Sequence, residues 1–563
     1  MSKKLYGNKN MLLVAIIGLL AILIVLIVKN KTDLKKYSEK GNEYFYSSNF
    51  EESIKVYESI NKTDKRSAIW PAKISELYLL QDDNENAEKY MKISMEKEDK
   101  NGEAHSILLN NEFLNLKEKF VENRINEDDY TKIYQHVKEA LDMYPENNEI
   151  KRIAFAIYLF HGDGTNAKKI LDSYATKNFT ASELCDKAMM YFQMNDSKVA
   201  YSTLIKAYEL DKNEMKIYDS TYEAYMSNKN ILNELIDLAN ENDSELFYKL
   251  ALTKIYVSNV DLNKGEDLLN EIGSMKLENN FIIPQLLMVE LLNNKSELDK
   301  EWDIISDLLN NHSDDYKVNY LTSCYWLSKN DIEKAIKYFK IAIKQNKNYL
   351  PLYTKLAPDI LEMKGEPNKA IPYLHYALYY SPYNPLTYVS SGYYNLYSMN
   401  NSVNALKHFK IAQVFNEDDL ELKYQTALVY LSNHNYNEAI EMLNKCIEKD
   451  SKNIKYHRTL GTTYVIAKMQ DKAIKEINIA YELDKTNILT LNNLGCYYIT
   501  VEGNIEKSFE NIEKSFKSLK EEHDEYTVKT ITENYNKIMD LKKKYEKGKE
   551  NEVIEIPDFV MFY

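Results

Sequence analysis

The sequence predicts an all-α fold, a solenoid of helical hairpins preceded by one transmembrane helix. Two observations predict the solenoid: small residues recur about every 34 positions, and glycine and proline number only 14 and 10 among 563 residues. A fixed period of this length is typical of repeat arrays. The third observation is the uninterrupted apolar run Met11–Val28, which predicts the membrane helix.

The apolar run is long enough to cross a bilayer. Its 18 residues rise about 27 Å as a helix, close to the roughly 30 Å hydrocarbon thickness. No small-x-small cleavage site follows, so an anchor is favoured over a cleaved signal peptide or a buried soluble helix. Lysines flank both sides and leave the orientation open. A basic start before a first apolar run resembles an export signal, which favours an extracytoplasmic solenoid on a single-pass anchor in the cell membrane.

Helical hairpins begin directly after the anchor. Tyr37, Gly41 and Tyr44 stand at helical spacing, without a flexible linker before them. The register is lost over Glu103–Asp129, which predicts an insertion, either a special surface or a longer solvated helix. Over Met215–Asp314 the pattern stays helical but lacks small residues where helices should cross. This predicts degenerate repeats that bend or hinge the array.

The C-terminal half carries the most regular hairpins. Small residues begin its second helices at spacings of 34 or 35 positions, and close helix crossings need such residues. After Lys520, apolar residues at helical intervals in a charged stretch predict a capping helix. The predicted segments are a basic tail over 1–10, the anchor over 11–28, N-terminal hairpins over 34–214 with an insertion near 103–129, degenerate repeats over 215–314, regular hairpins over 315–520, a capping helix over 521–549 and an apolar tail over 550–563.

Composition excludes several classes of function. The formal net charge is −14, with 72 basic against 86 acidic residues. Nonspecific binding to nucleic acid depends mainly on basic side chains, so we expect no nucleic acid among the partners. The four cysteines are far apart, and the nine histidines form neither HxxxH nor HExxH, so no metal or cofactor is predicted. No nucleophile, base or metal cluster appears. We therefore expect no enzymatic activity, unless unrecognised chemistry lies in the degenerate middle.

One repeat displays the pattern most clearly. Over Ile454–Asn487, Leu460, Gly461 and Tyr464 lie on the first helix, and Ala473 and Ala480 lie on the second. These residues resemble the tetratricopeptide repeat family, and the resemblance covers most of the chain from Leu34 to Lys520. It implies a right-handed solenoid in which the first helices line a concave groove for peptides or protein segments.

The resemblance also implies which residues face the groove, although several of them have packing between hairpins as an alternative role. The lining is aromatic and polar with one cation, which suits stacking and recognition of backbone amides. Carried onto the regular half, the positions hold Tyr320, Cys324, Val389, Tyr393, Tyr424, Leu428, Arg458, Thr462 and Asn492.

The leading hypothesis is a noncatalytic, membrane-anchored scaffold or adaptor of a bacterial cell that binds protein or peptide partners in this groove. The alternative is a regulatory or assembly subunit of a membrane machine for envelope polymer synthesis, secretion or proteolysis. The tail Asn551–Tyr563 is apolar after a charged helix. It predicts a motif that docks into a partner, a strand-like plug in the chain's own groove, or a disordered end. The oligomeric state stays open.

Overall fold

The computed structural model describes residues 34–45, 49–81, 83–174, 179–241, 246–278, 280–521, 523–547 and 555–563. Within these residues the regular structure is helical, and the one β feature is an isolated bridge between Ser67 and Glu98. The all-α, helical-hairpin solenoid is therefore confirmed for this part of the chain. None of its helices combines the length and apolarity that crossing a membrane requires. The predicted anchor Met11–Val28 lies outside the described residues.

The chain divides into two compact units, Met1–Ser391 and Gly392–Tyr563, which we call the N-terminal and C-terminal units. In its described residues the N-terminal unit contains ten helical hairpins, each made of two consecutive helices. The helices are α1 (34–45), α2 (Phe50–Thr63), α3 (Ile69–Leu79), α4 (Asn84–Met95), α5 (Glu103–Val121), α6 (Glu127–Met143), α7 (Asn148–Phe160), α8 (Gly164–Ser173), α9 (Ala181–Gln193), α10 (Ser197–Leu210), α11 (Lys216–Ser227), α12 (Asn230–Glu241), α13 (Leu246–Ile255), α14 (Leu262–Gly273), α15 (Ile283–Asn294), α16 (Leu298–Asn311), α17 (Tyr316–Ser328), α18 (Ile332–Gln345), α19 (Ala357–Met363) and α20 (Ile371–Tyr380).

The C-terminal unit continues the same architecture. The boundary between the units falls within α21 (Pro385–Tyr393). Short π-helical turns extend α13 over Tyr256–Val260, precede α19 over Leu352–Leu356 and extend α21 over Tyr394–Ser398. The remaining helices are α22 (Ser402–Phe415), α23 (Leu420–Ser432), α24 (Tyr436–Lys449), α25 (Ile454–Ile466), α26 (Gln470–Leu483), α27 (Ile488–Thr500), α28 (Ile505–Lys517) and α29 (Glu525–Lys547).

The turns inside the hairpins share a sequence logic. In most of these turns a residue with positive φ follows the first helix, and a side-chain acceptor commonly stands at the start of the second. In one such turn Asn330 has φ 57°, and the Asp331 carboxylate accepts from the backbone N–H of Lys334. Gly162 and Asp163 make the same turn before α8. Asparagine and glycine tolerate the left-handed conformation, and aspartate satisfies a free amide of the next helix.

Close crossings of paired helices hold each hairpin together. At Gly461 on α25, an added Cβ would lie 2.6 Å from Ile477 Cγ1 and 3.2 Å from the Ile477 backbone nitrogen on α26. A larger residue would therefore push the two helices apart. The small residues that begin the second helices are fully buried, at 0 % exposure: Ala335, Ala370, Ala405, Ala439, Ala473 and Ser508.

In the middle of the chain, buried ion pairs join the first helices of successive hairpins. Lys254 Nζ on α13 lies 2.8 Å from Asp219 Oδ1 on α11 and 2.6 Å from Glu290 Oε2 on α15. Lys317 Nζ on α17 lies 3.0 Å from Glu290 Oε1 and donates to the Tyr349 hydroxyl at 2.6 Å. Burial alone would raise the pKa of the Glu290 carboxyl, but the two lysines outweigh it and hold that pKa below its usual range.

We predict that Glu290→Gln lowers the free energy of unfolding by about 3–5 kcal/mol, because it leaves two buried lysines short of a countercharge. A carboxyl whose pKa is lower in the folded than in the unfolded state stabilises the fold at pH values above the unfolded pKa, which is about 4.3 for glutamate. This stabilisation is lost as the pH falls toward the folded pKa. The wild type should therefore lose stability below that pH through Glu290, and the variant should lack this contribution. Hydrogen exchange of α13, α15 and α17 between pH 7 and 3 measures both effects.

The matched control is Glu482→Gln, which removes an exposed ion pair with Lys485 at 3.1 Å. It should change stability by less than about 0.5 kcal/mol. Equal effects of the two substitutions would contradict the role assigned to the buried cluster.

Candidate functional site

A polar groove crosses the first helices of two hairpins and the last helix of the C-terminal unit. Residues three or four apart on a helix share a face, which places Arg458 beside Thr462 and Asn534 beside Lys537. The 34-residue period places Asn492 one repeat after Arg458. We call this surface the C-terminal groove and define it by Arg458 and Thr462 on α25, Asn492, Asn493 and Cys496 on α27, and Asn534 and Lys537 on α29.

Residues 555–563, which we call the groove segment, lie in this groove. They are not part of a helix or of a β-sheet. The Asn534 side chain accepts from Val560 N–H at 3.2 Å and donates to the Val560 carbonyl at 2.8 Å. Asn493 repeats this at Phe562, accepting from N–H at 2.7 Å and donating to the carbonyl at 2.6 Å. Two asparagines thus bind both backbone groups of two alternate residues.

Further side chains bind the same backbone. Asn492 donates to the Val560 carbonyl at 3.0 Å, and Lys537 donates to the Asp558 carbonyl at 2.8 Å. Thr462 donates to the Phe562 carbonyl at 2.8 Å, while Arg458 Nη2 donates to the Tyr563 carbonyl at 3.1 Å. The bonded residues Asp558, Val560 and Phe562 alternate along the segment, as they do on one edge of an extended strand, and the Arg458 contact is added at the last residue.

The groove side chains also bind one another. Asn534 donates to Asn492 Oδ1 at 2.9 Å, and Asn493 donates to Thr462 Oγ1 at 2.9 Å. Asn492, Asn493 and Asn534 are 0 % exposed and Arg458 is 6 % exposed. Burial lowers the pKa of the Arg458 guanidinium, partly offset by the Tyr424 phenol. These mutual bonds fix the orientation of the amides that bind the groove segment.

Some side chains of the groove segment pack on the C-terminal unit, and others are exposed to solvent. Phe559 and Met561 pack on the apolar cluster around Ile512 and Ile538. Phe562 is buried, with its ring edge-on to Tyr526 at 6.1 Å. Exposed fractions of 39 % at Val560 and 44 % at Tyr563 show that these side chains face solvent.

The structure brings together three residues that the sequence assigns to the groove. Arg458, Thr462 and Asn492 all touch the groove segment. Whether they bind a partner stays a prediction. The segment itself occupies the groove as an extended strand, which corresponds to the plug among the alternatives for the tail.

The other assigned residues of the C-terminal unit pack between helices. The Tyr424 hydroxyl lies 3.1 Å from Thr459 Oγ1, and Leu428 packs on the core cluster around Leu460. The Tyr393 ring lies 5.2 Å from the Phe409 ring. These contacts join one helix to another, so the three residues correspond to the packing alternative, although Met561 of the groove segment packs on the same cluster as Tyr424 and Leu428.

Three assigned residues belong to the N-terminal unit. The Tyr320 ring packs edge-on to Tyr349 at 5.2 Å, beside the buried ion pairs. Burial raises the pKa of the neighbouring Cys324 thiol to about 11. Val389 is half-buried on α21.

Sequence reasoning missed four residues of the C-terminal groove: Asn493, Cys496, Asn534 and Lys537. Asn493 directly follows the assigned Asn492, and only the rotation of α27 decides that both face the segment. Asn534 lies between Ile531 and Ile538 on the capping helix, outside the repeat period. An asparagine inside an otherwise apolar helical face was the available signal, because a buried amide needs a hydrogen-bond partner.

The first helices of the N-terminal unit already contact another part of that unit. The Tyr379 hydroxyl on α20 donates to the Ile107 carbonyl at 2.7 Å and to Asn111 Oδ1 at 2.8 Å. Lys117 donates to the Tyr388 hydroxyl at 2.9 Å. Part of the surface that the resemblance assigns to partners is therefore occupied by α20 and α21.

A cavity of about 190 Å³ remains between α20 and the first helices of the N-terminal unit. Burial raises the pKa of Glu76, which lines it, to about 7. Its balanced charges favour neither anions nor cations. The charged lining is Lys73, Arg152, Lys347, Glu76, Glu103 and Glu149. In the described part of the chain, no group of three His, Cys, Asp or Glu side chains is placed to hold a metal ion.

Comparisons with known proteins concern helical architecture. No protein-family model and no curated protein matches the chain. Among solved structures, the APC/C hetero-tetramer Cut9–Hcn1 aligns with a TM-score of 0.36 and 14 % identity over 89 % of this chain and 95 % of that chain. Yeast Tom70 aligns with a TM-score of 0.36 and 13 % identity over 86 % and 99 %. YrrB, described as a TPR protein with an unusual peptide-binding site, aligns with a TM-score of 0.27 and 19 % identity. The alignment covers 35 % of this chain and 97 % of YrrB.

We predict that Asn493→Ala and Asn534→Ala each release the groove segment. Each substitution removes a pair of backbone hydrogen bonds worth about 1–3 kcal/mol together. Chymotrypsin cleavage after Phe559 and Phe562 should accelerate roughly 5- to 150-fold, because cleavage follows the population of the open form.

The control is Asn511→Ala, which alters an asparagine on α28 whose amide binds the Lys507 carbonyl of its own helix at 2.8 Å. Cleavage of the segment should then match the wild type. Acceleration by this control as well would indicate general destabilisation and contradict a specific grip.

Proposed function

We propose that the chain is a noncatalytic scaffold whose C-terminal groove binds an extended segment of a protein partner. The observation that carries this proposal is the pairing of Asn534 with Val560 and of Asn493 with Phe562, each through both backbone groups. These bonds read the backbone and not the side chains. A strand from another protein has the same groups at the same spacing.

The energetics of the groove support a strand as its occupant. Buried amides cost free energy unless they are bonded. With the groove segment in place, Asn493 and Asn534 are 0 % exposed, and each presents a donor and an acceptor toward the segment. Successive residues of a strand direct their backbone groups to opposite edges, so two amides in register select alternate residues. A helix, whose backbone groups bond internally, does not offer these groups.

Further support comes from the rest of the array. In the N-terminal unit, Tyr379 and Tyr388 already bind side chains and backbone of the first helices. A partner strand would have to displace whole helices there. In the C-terminal groove it has to displace only the short groove segment.

We further propose that the run Met11–Val28 tethers this scaffold to a membrane, with the solenoid outside the cytoplasm. The support is its 18-residue apolar length and the basic residues around it.

Deleting 11–28 should move the protein from carbonate-washed membranes to the supernatant. Protease added to intact cells should cut the full-length solenoid; complete protection would place it on the other side.

Peptide binding to the full-length protein tests the groove. We call Phe559→Asp with Phe562→Asp the emptied variant, because a buried charge without a partner expels the segment. A labelled peptide with the sequence of residues 555–563 should bind this variant with a dissociation constant of about 1–100 µM, within the range of short-motif recognition. Fluorescence anisotropy gives the affinity.

Adding Asn493→Ala to the emptied variant should weaken the peptide by at least about tenfold, since two bonds are lost. Adding Asn511→Ala should leave the affinity unchanged. If chymotrypsin shows that the segment has left the groove and the peptide still does not bind, the proposed function is wrong.

A further inference from the structure

The groove segment uses the side chains with which the groove would bind a partner strand. The amide oxygen and nitrogen of Asn493 both bind Phe562, and those of Asn534 both bind Val560. Thr462 is occupied by the Phe562 carbonyl and Arg458 by that of Tyr563. A second strand cannot form the same bonds at the same time.

We infer that residues 555–563 are an intramolecular competitor, and that the partner they exclude is a protein segment of the same chemistry. That partner is extended and carries large apolar side chains at the places of Phe559, Met561 and Phe562. Its backbone N–H groups are free at the places of Val560 and Phe562. This inference rests on the proposed function and adds the partner's chemistry and its regulation.

The apolar requirement follows from what each side chain touches. Phe559 and Met561 pack on the cluster that contains Ile512 and Ile538, where a charge would be desolvated. Phe562 is 7 % exposed against Tyr526. Aromatic and large aliphatic side chains gain most from such sites.

The places that face solvent impose no such requirement. Val560 and Tyr563 are 39 % and 44 % exposed, and Ile556 is 42 % exposed ahead of the gripped residues. Partner segments should therefore vary at these three places. The groove therefore recognises the backbone at two positions of a segment and apolar side chains at three.

The edge of the strand provides a second, independent criterion. The N–H groups of Val560 and Phe562 point to the asparagines. The intervening N–H of Met561 points to the opposite edge, because backbone groups alternate along a strand. Methylating the nitrogen at the place of Phe562 removes a bonded donor, whereas methylating that of Met561 does not.

The strength of the competition follows from tethering. A segment on a short tether has an effective concentration of about 1 mM. If it and a partner each bind with an intrinsic dissociation constant of about 10 µM, the partner's apparent affinity falls about 100-fold. A partner therefore binds when it is abundant, when it binds more tightly than the segment, or when the segment is removed.

The test compares the full-length wild type with the emptied variant, using the labelled peptide of residues 555–563. The emptied variant should bind it about 100-fold more tightly. Phe562→Pro, which removes the donor to Asn493 without adding charge, is a second emptying variant and should behave alike. Ile556→Asp, placed outside the gripped residues, should bind as weakly as the wild type.

Two N-methylated peptides complete the experiment on the emptied variant. Methylation at the Phe562 nitrogen should weaken binding at least about tenfold, and methylation at the Met561 nitrogen less than about threefold. Equal affinities of wild type and both emptying variants would overturn the competition and leave the proposed function standing. Equal losses from both methylations would overturn the edge readout. If the labelled peptide bound neither the wild type nor either emptying variant, the proposed function itself would be overturned.

Discussion

Close approach of paired helices is the constraint on which the rest of the structure depends. Gly461 leaves no room for a Cβ against Ile477, and Ala473 is fully buried at the same crossing. Since the hairpins pack at one spacing, side chains one period apart line up on the first helices. Arg458 on α25 and Asn492 on α27 are such a pair. The groove exists because the crossing residues are small.

In the middle of the chain, a buried charge cluster joins successive hairpins in addition to the close crossings within them. There the first helices are joined by Lys254 and Lys317, which share the carboxylates of Asp219 and Glu290. A buried charge cluster demands specific partners and is costly when one is missing. Ion pairs of this kind do not recur with the small-residue period, so the repeat pattern of Met215–Asp314 gives no sign of them.

Periodicity made much of the fold predictable, and it also set the limit. It predicts helices and hairpins, whereas the face that holds Arg458, Thr462 and Asn492 is implied by the resemblance to the tetratricopeptide repeat family. It does not predict Asn534, which lies on α29 beyond the last repeat, and it cannot identify the groove's occupant, whose Phe562 lies 100 residues from Thr462. The contact of Lys117 with Tyr388, 271 residues apart, is equally invisible to a local pattern. The resemblance also assigns Tyr320 and Val389 to the groove, but they belong to the N-terminal unit, whereas the residues that hold the segment belong to the C-terminal unit.

The central claim is that two asparagines bind one edge of a strand. Residue-resolved amide hydrogen exchange across 559–563 in the full-length protein tests it most directly. The N–H groups of Val560 and Phe562 are bonded to Asn534 and Asn493, so they should exchange at least about tenfold more slowly than those of Met561 and Tyr563. Exchange at one uniform rate along the segment would contradict the account.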